Sequence, residues 1–237
     1  MQQKNINEDY SALFSGIDVE VPLLNGNQKR YINLDTAAST PPLKAVLESI
    51  NEFVNYYSSV HRGMGYKSQL STHFYEHARD TVLNFAGADP SVHTCIFGKN
   101  TTEGINKLAR RFPFTDQRRI VITSGMEHDS NDLPWRSVAD VIHVGLTPEG
   151  KLDEEIFDET LDRYSNQIAL VAITGASNVT GYINPYHRLA EKTHKIGAKI
   201  ALDCAQLAPH RKVDMLPIDD PAHIDFLTIS AHKLYAP

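Results

Sequence analysis

Cysteine is scarce: Cys95 and Cys204 are the only two in 237 residues, far apart and in no CxxC arrangement. A disulfide scaffold and a zinc ribbon are therefore excluded, and the usage suits a reducing cytoplasm. No apolar run reaches the ~18 residues needed to span a bilayer. The start, MQQKNINEDYSALFSG, has neither the apolar core of a signal peptide nor an Arg-rich amphipathic face. Basic excess is missing too. Lys and Arg number 23 against 29 Asp and Glu, a formal charge of -6, and the pI is about 6.0. That balance argues against nucleic acid or an anionic membrane as partner. There is no internal repeat and no low-complexity tract. With 41% hydrophobic and 22% charged residues and a mean hydropathy of -0.33, the composition is that of an ordinary soluble globular protein.

The apolar pattern predicts an ordered chain of alternating elements. Residues 1–30 read as a short helix and loop leading in, 31–35 as a brief strand, and 36–42 as a turn. A helix is expected over 43–57, where Leu43, Val46, Leu47, Ile50, Phe53 and Val54 share a face. A loop over 58–71 and a helix over 72–86 follow, stopped by Gly87-Ala88-Asp89-Pro90. Strands are expected over 94–97, 119–123, 141–144, 168–174, 199–203 and 224–230. Helices are expected over 102–111, 130–139, 152–164 and 186–196. Short apolar strands separated by helices define an α/β fold, a mostly parallel sheet sandwiched by helices. No linker-like stretch interrupts it, so residues 31–237 read as one large domain after the lead-in.

Ligands of open parallel sheets bind beyond the carboxyl ends of the strands, and here those ends carry chemistry. The strand over 119–123 is followed by Glu127-His128-Asp129-Ser130-Asn131, and the strand over 168–174 by Ser177-Asn178. The strand over 199–203 ends in Asp203 with Gln206 close behind, and the last leads into Ser230-Ala231-His232-Lys233. A polar, glycine-bounded turn over 98–104 opens a helix, whose free N–H groups and dipole suit an anion. Each has a plainer reading alone. Thr101 or Thr102 with Glu103 can be only a helix cap, His128 a polar loop residue, Asn178 a turn residue and Lys233 a solvated lysine. Asp203 is harder to dismiss, because a carboxylate at a buried strand end needs a partner. No nucleotide-binding or hydrolase motif competes, and the histidines show no metal-ligand spacing, so no metal is expected. A phosphate-binding helix start, a ring-stacking imidazole, a buried Asp and a Lys are the parts that a pyridoxal 5'-phosphate site requires.

The same stretches resemble the class V aminotransferase family of fold type I pyridoxal phosphate enzymes, with the cysteine desulfurase and selenocysteine lyase branch nearest. The matching segments are NLDTAAS at 33–39, VHRG at 60–63, NTTEGIN at 100–106, MEHDSNDLPW at 126–135, SNVTG at 177–181, DCAQ at 203–206 and ISAHKLYAP at 229–237. They occur in the family's order, and together they are specific. The resemblance implies that Lys233 is the Schiff-base lysine, that His128 stacks on the pyridine ring, and that Asp203 pairs with its nitrogen. It implies that Gln206 bonds the ring's phenolic oxygen, that Asn178 sits near the substrate carboxylate, and that Thr101, Thr102, Ser230 and His232 hold the phosphate. The catalytic set is then Lys233, His128 and Asp203.

Chemistry at Cα or Cβ of an amino acid is implied, of cysteine desulfurase or selenocysteine lyase type. So are a cytoplasmic homodimer and a sulfur-acceptor protein as partner. A class V aminotransferase or an amino-acid epimerase on the same scaffold is the nearest alternative, and a non-catalytic truncated fragment is the alternative of another class. Two departures stand out. Asp129 occupies a position where the desulfurase branch usually has a second His. The sequence also stops four residues after Lys233, where the family continues with an antiparallel strand and a small C-terminal domain. That part carries the carboxylate-gripping Arg and, in desulfurases, the nucleophilic Cys. The expectation is therefore a large domain truncated just after the lysine. Neither Cys95 nor Cys204 matches the nucleophile, and both read as packing thiols.

Overall fold

The computed structural model describes residues 10–237, so the start of the expected lead-in lies outside the described residues. The chain forms two compact units, one comprising the residues up to Tyr75 together with Ala231–Pro237, the other Glu76–Ser230.

In the first unit a single 3-10 turn, Tyr10–Leu13, precedes an antiparallel ribbon of β1 (Glu20–Pro22) and β2 (Gln28–Arg30). The strand expected over 31–35 does not form. Tyr31 donates its N–H to the Val19 carbonyl at 2.8 Å, but Asn33 then accepts the Asp35 N–H on its side chain at 2.9 Å. Such a local side-chain bond replaces a ladder, and Ile32 and Leu34 stay exposed. Helix α1 (Lys44–Val54) forms where the apolar face was read.

Helix α2 (Tyr66–Phe85) begins six residues earlier than expected and shortens the loop over 58–71. Its first turns lack an apolar stripe because hydroxyls do the packing. Ser68 Oγ donates to the Ser59 carbonyl at 2.7 Å. Ser71 Oγ and Thr72 Oγ1 accept the backbone N–H groups of Ser58 and His61. The tail of the chain is tied down within this unit. Thr40 donates its N–H and its hydroxyl to the His232 carbonyl, each at 3.1 Å. The Tyr235 N–H donates to Thr40 Oγ1 at 2.8 Å, and the Leu43 N–H to the Tyr235 carbonyl at 3.0 Å.

The second unit carries helix α3 (Thr101–Arg111), strand β3 (Ile120–Ser124), the short helix α4 (Leu133–Arg136) and strand β4 (Asp140–Val144). Helix α5 (Glu154–Arg163), strand β5 (Ile168–Thr174), helix α6 (Tyr186–Lys195), strand β6 (Lys199–Asp203) and strand β7 (Phe226–Thr228) complete it. The sheet order is β4-β3-β5-β6-β7 and every pairing is parallel, which is the fold class expected. Both faces are covered. Ile105 and Ala109 of α3 and Trp135 of α4 pack on Val121, Leu170, Ala172 and Ala201. The alternate residues Ile122, Val171, Ile173, Ile200 and Leu202 are equally buried and face the other way, as strand periodicity requires. Contacts of α6 with β5 and β6, and of α5 with β4, cover the sheet further.

Two expectations in this unit fail. Residues 94–97 join no ladder, and Ile96 is 75% exposed: an apolar run becomes a strand only where a partner strand lies alongside it. The helix over 130–139 breaks into a 3-10 turn, Asp129–Asn131, and the four-residue α4 with a proline in its first turn.

Candidate functional site

The register aligns the strand ends. Thr174 of β5 lies opposite Asp203 of β6, and Asp203 lies opposite Thr228 of β7. Polar groups beyond the carboxyl ends of the strands thus share one edge of the second unit. Helix α3 starts on the same side, and its cap is Asn100 rather than a threonine. Asn100 Oδ1 accepts the Glu103 N–H at 2.9 Å, while Glu103 Oε2 reaches back to the Lys99 N–H at 2.6 Å. Asn100 thus caps the helix while Glu103 holds the residue before the cap, which leaves the threonines to other partners.

Those partners join the helix start to two strand ends. Thr101 is buried, and its hydroxyl accepts from Ser230 Oγ at 2.8 Å. The Thr101 N–H points at Ser230 Oγ at 3.3 Å. Thr102 Oγ1 lies 2.7 Å from Ser130 Oγ, which in turn lies 2.9 Å from His128 Nδ1. The Ser130 N–H also donates to His128 Nδ1 at 3.1 Å. Nδ1 is therefore an acceptor, and the neutral ring carries its proton on Nε2. The ring is exposed. Ser130 is the link between His128 and α3.

Asp203 is 5% exposed and accepts the Ala205 N–H on Oδ1 at 2.9 Å. Gln206 lies half-buried in the turn that follows. Asn178 occupies an exposed turn in which Ser177 Oγ accepts the N–H groups of Val179 and Thr180, both at 3.2 Å.

A second residue passed over in the sequence is Glu127. Its carboxylate accepts from Ser124 Oγ at 2.5 Å and from Asn131 Nδ2 at 2.7 Å, and Asn131 Oδ1 accepts from the buried Trp135 Nε1 at 3.3 Å. Burial pushes the Glu127 carboxyl up to about 7, against the pull of these bonds and with a smaller push from the Asp203 charge. Its place just before His128 was the only signal in the sequence. Both cysteines behave as packing groups. Burial raises the Cys95 thiol and lifts that of the fully buried Cys204 well above its usual range.

Lys233 and His232 belong to the first unit, on a single 3-10 turn, Ala231–Lys233. The structure thus gathers Thr101, Thr102, His128, Asp203, Gln206 and Ser230 on one sheet edge of the second unit, with Asn178 in a turn beyond β5.

A helix start flanked by hydroxyls, an imidazole and a buried carboxylate share one edge of a parallel sheet, beyond the strand ends where open α/β sheets bind their ligands. The family model of the class-V aminotransferases matches residues 32–237, and the chain belongs to that family. It is 37% identical over 238 residues to a protein of Halalkalibacterium halodurans named "Probable cysteine desulfurase", covering 97% of this chain and 55% of that one. Two solved structures are alike in fold. One is the cysteine desulfurase CsdA of Escherichia coli in an S-sulfonic acid form, with a TM-score of 0.72 and 30% identity over 86% of this chain and 51% of that one. The other is the apo cysteine desulfurase of Thermococcus onnurineus NA1, with a TM-score of 0.76 and 31% identity over 86% and 50%. The chain spans about half the length of the curated relatives it matches.

Proposed function

We propose that this chain carries the cofactor-binding half of a pyridoxal 5'-phosphate enzyme that acts on an amino acid, of cysteine desulfurase type. The observation that carries the reading is the hydrogen-bonded series from α3 through Ser130 to His128 on the edge that also bears Asp203. The family membership and the desulfurase relatives support it.

The donor set fits the cofactor. The start of α3, with the hydroxyls of Thr101, Thr102 and Ser230, suits a dianionic phosphate, and His232 is assigned to the same task. The Asp203 carboxylate suits a protonated pyridine nitrogen, Gln206 its phenolic oxygen, and the exposed His128 ring an aromatic face. When bound, pyridoxal phosphate supplies an aldehyde and an electron-accepting ring for chemistry at Cα or Cβ of the substrate. Lys233 provides the amine that holds the cofactor and then moves the substrate proton. His128, with Nδ1 committed to Ser130, presents Nε2–H as its proton-carrying atom. Asp203 keeps a negative charge beside the pyridine nitrogen, and Asn178 orients the substrate carboxylate. A homodimer and a sulfur-acceptor protein complete the reading for the whole protein.

The test is to incubate the chain with pyridoxal phosphate, reduce with borohydride and map the labelled peptide. A single label on Lys233, with release of alanine from cysteine by the full-length protein, is the expected result. A label on another lysine overturns the assignment, and transamination without sulfur release overturns the desulfurase reading.

A further inference from the structure

At the opposite ends of β6 and β7, three side chains converge that the proposed function does not use. His194 lies in the last turn of α6, and His223 and Asp225 lie just before β7. One ligand atom from each lies within 4.8 Å of the others. His194 Nε2 is 2.9 Å from Asp225 Oδ2, and His223 Nε2 is 3.4 Å from Asp225 Oδ1. The two imidazoles stack with centroids 4.1 Å apart.

The outer nitrogens fix the tautomers. His194 Nδ1 is 2.8 Å from the Pro221 carbonyl, and His223 Nδ1 is 2.7 Å from the Asp220 carbonyl. A carbonyl only accepts, so both Nδ1 atoms carry hydrogen, and in the neutral rings both Nε2 lone pairs face the Asp225 carboxylate. Acceptors facing acceptors require a cation between them. A proton on His194 Nε2 satisfies one contact, and bonding to Asp225 accordingly raises that ring's affinity for it. Among the described residues His223 Nε2 has no hydrogen-bond partner, although the residue is 8% exposed. A buried lone pair with no donor is costly, and it is aimed at the cluster.

We propose that His194, His223 and Asp225 form a binding site for a divalent first-row transition ion, zinc by ligand chemistry, with solvent completing the coordination. Two imidazoles and a carboxylate, with each imidazole held through Nδ1 by a carbonyl, are the ligand and support pattern such ions select. An ion bound by nitrogens at about 2.0–2.1 Å sets ligands roughly 3.4 Å apart, so binding requires the two rings to turn out of their stack until both Nε2 lone pairs converge on it. Binding releases the His194 Nε2 proton to solvent. Lys199 is the competing cation: its Nζ is 2.7 Å from Asp225 Oδ1, yet its side chain is 52% exposed and free to swing into water. The 28 residues between the two histidines hide this site from a spacing search.

The experiment titrates the chelator-stripped chain with Co²⁺, read by its visible ligand-field absorption, with Zn²⁺ as competitor. One ion per chain is expected. His223→Gln should weaken binding by at least about tenfold. Removing the competing charge in Lys199→Ala should tighten it severalfold. That opposite sign separates ligand loss from misfolding of the His223 variant. Equal Co²⁺ binding by wild type and a folded His223→Gln, or a Lys199→Ala variant that binds no better than wild type, overturns the proposal.

Discussion

Asp203 and Cys204 are consecutive, buried and assigned opposite fates by their chemistry. The carboxylate ends β6 on the polar edge, where it can pay for its burial only through partners; the thiol packs inward, its ionisation suppressed by burial and by the Asp203 charge. If Asp203 tunes the cofactor through its charge, Asp203→Asn keeps the shape and removes the function. Turnover by the full-length protein should fall on the order of 10²–10³-fold, with the circular dichroism spectrum unchanged. Near-normal turnover by a folded Asp203→Asn protein would refute the role. Glu127 and Ser130 each combine a near neighbour along the chain, Ser124 and His128, with a partner farther off. Glu127 bonds Asn131 and Ser130 bonds Thr102, and a sequence read residue by residue does not show either pairing.

Elements were legible in proportion to how local their causes are. Strands β5 and β6 stand at the expected bounds because each is a continuous apolar run, and all seven residues of β5 are buried. Helices α3, α5 and α6 were placed to within two residues at each end by their periodicity. Residues 94–97 failed because strand formation requires a neighbour, and α2 extends six residues ahead of the expected start because serine hydroxyls can line a packed face. The cap of α3 is Asn100, the residue before the two threonines that the sequence offers as caps. Asn100→Ala should lower stability by about 1 kcal/mol, seen as a drop in the thermal midpoint of the cofactor-free chain. An unchanged midpoint would mean that Glu103 and the Ser230 contact hold the helix start without the cap.

For the molecule as a whole, two carboxyl groups of the second unit oppose each other in pH. Asp225 is lowered to about 2; burial raises it, but hydrogen bonds to His194, Lys199 and the Ile200 N–H outweigh that. Its folded form holds a proton less tightly than the unfolded chain, so its contribution is present above about pH 4 and is lost as pH falls through 2. Glu127 is raised to about 7 from 4.5, so its contribution is full below 4.5 and is lost as pH rises through 7. The loss is on the order of 3 kcal/mol. The cofactor-free chain should therefore melt at a lower temperature at pH 8 than at pH 5, and Glu127→Gln should flatten that slope. A wild-type slope retained in Glu127→Gln would assign the pH dependence to other groups.

The sequence by itself determined the α/β class, the parallel sheet, the family and the identity of the candidate residues, because apolar periodicity and contiguous motifs are properties of neighbours along the chain. Only the tertiary structure decided that Ser130 joins His128 to α3, that Glu127 is pushed towards neutrality, and that His194 meets His223 and Asp225. Those facts arise from burial and from contacts between distant segments, and both exist only once the strands lie side by side.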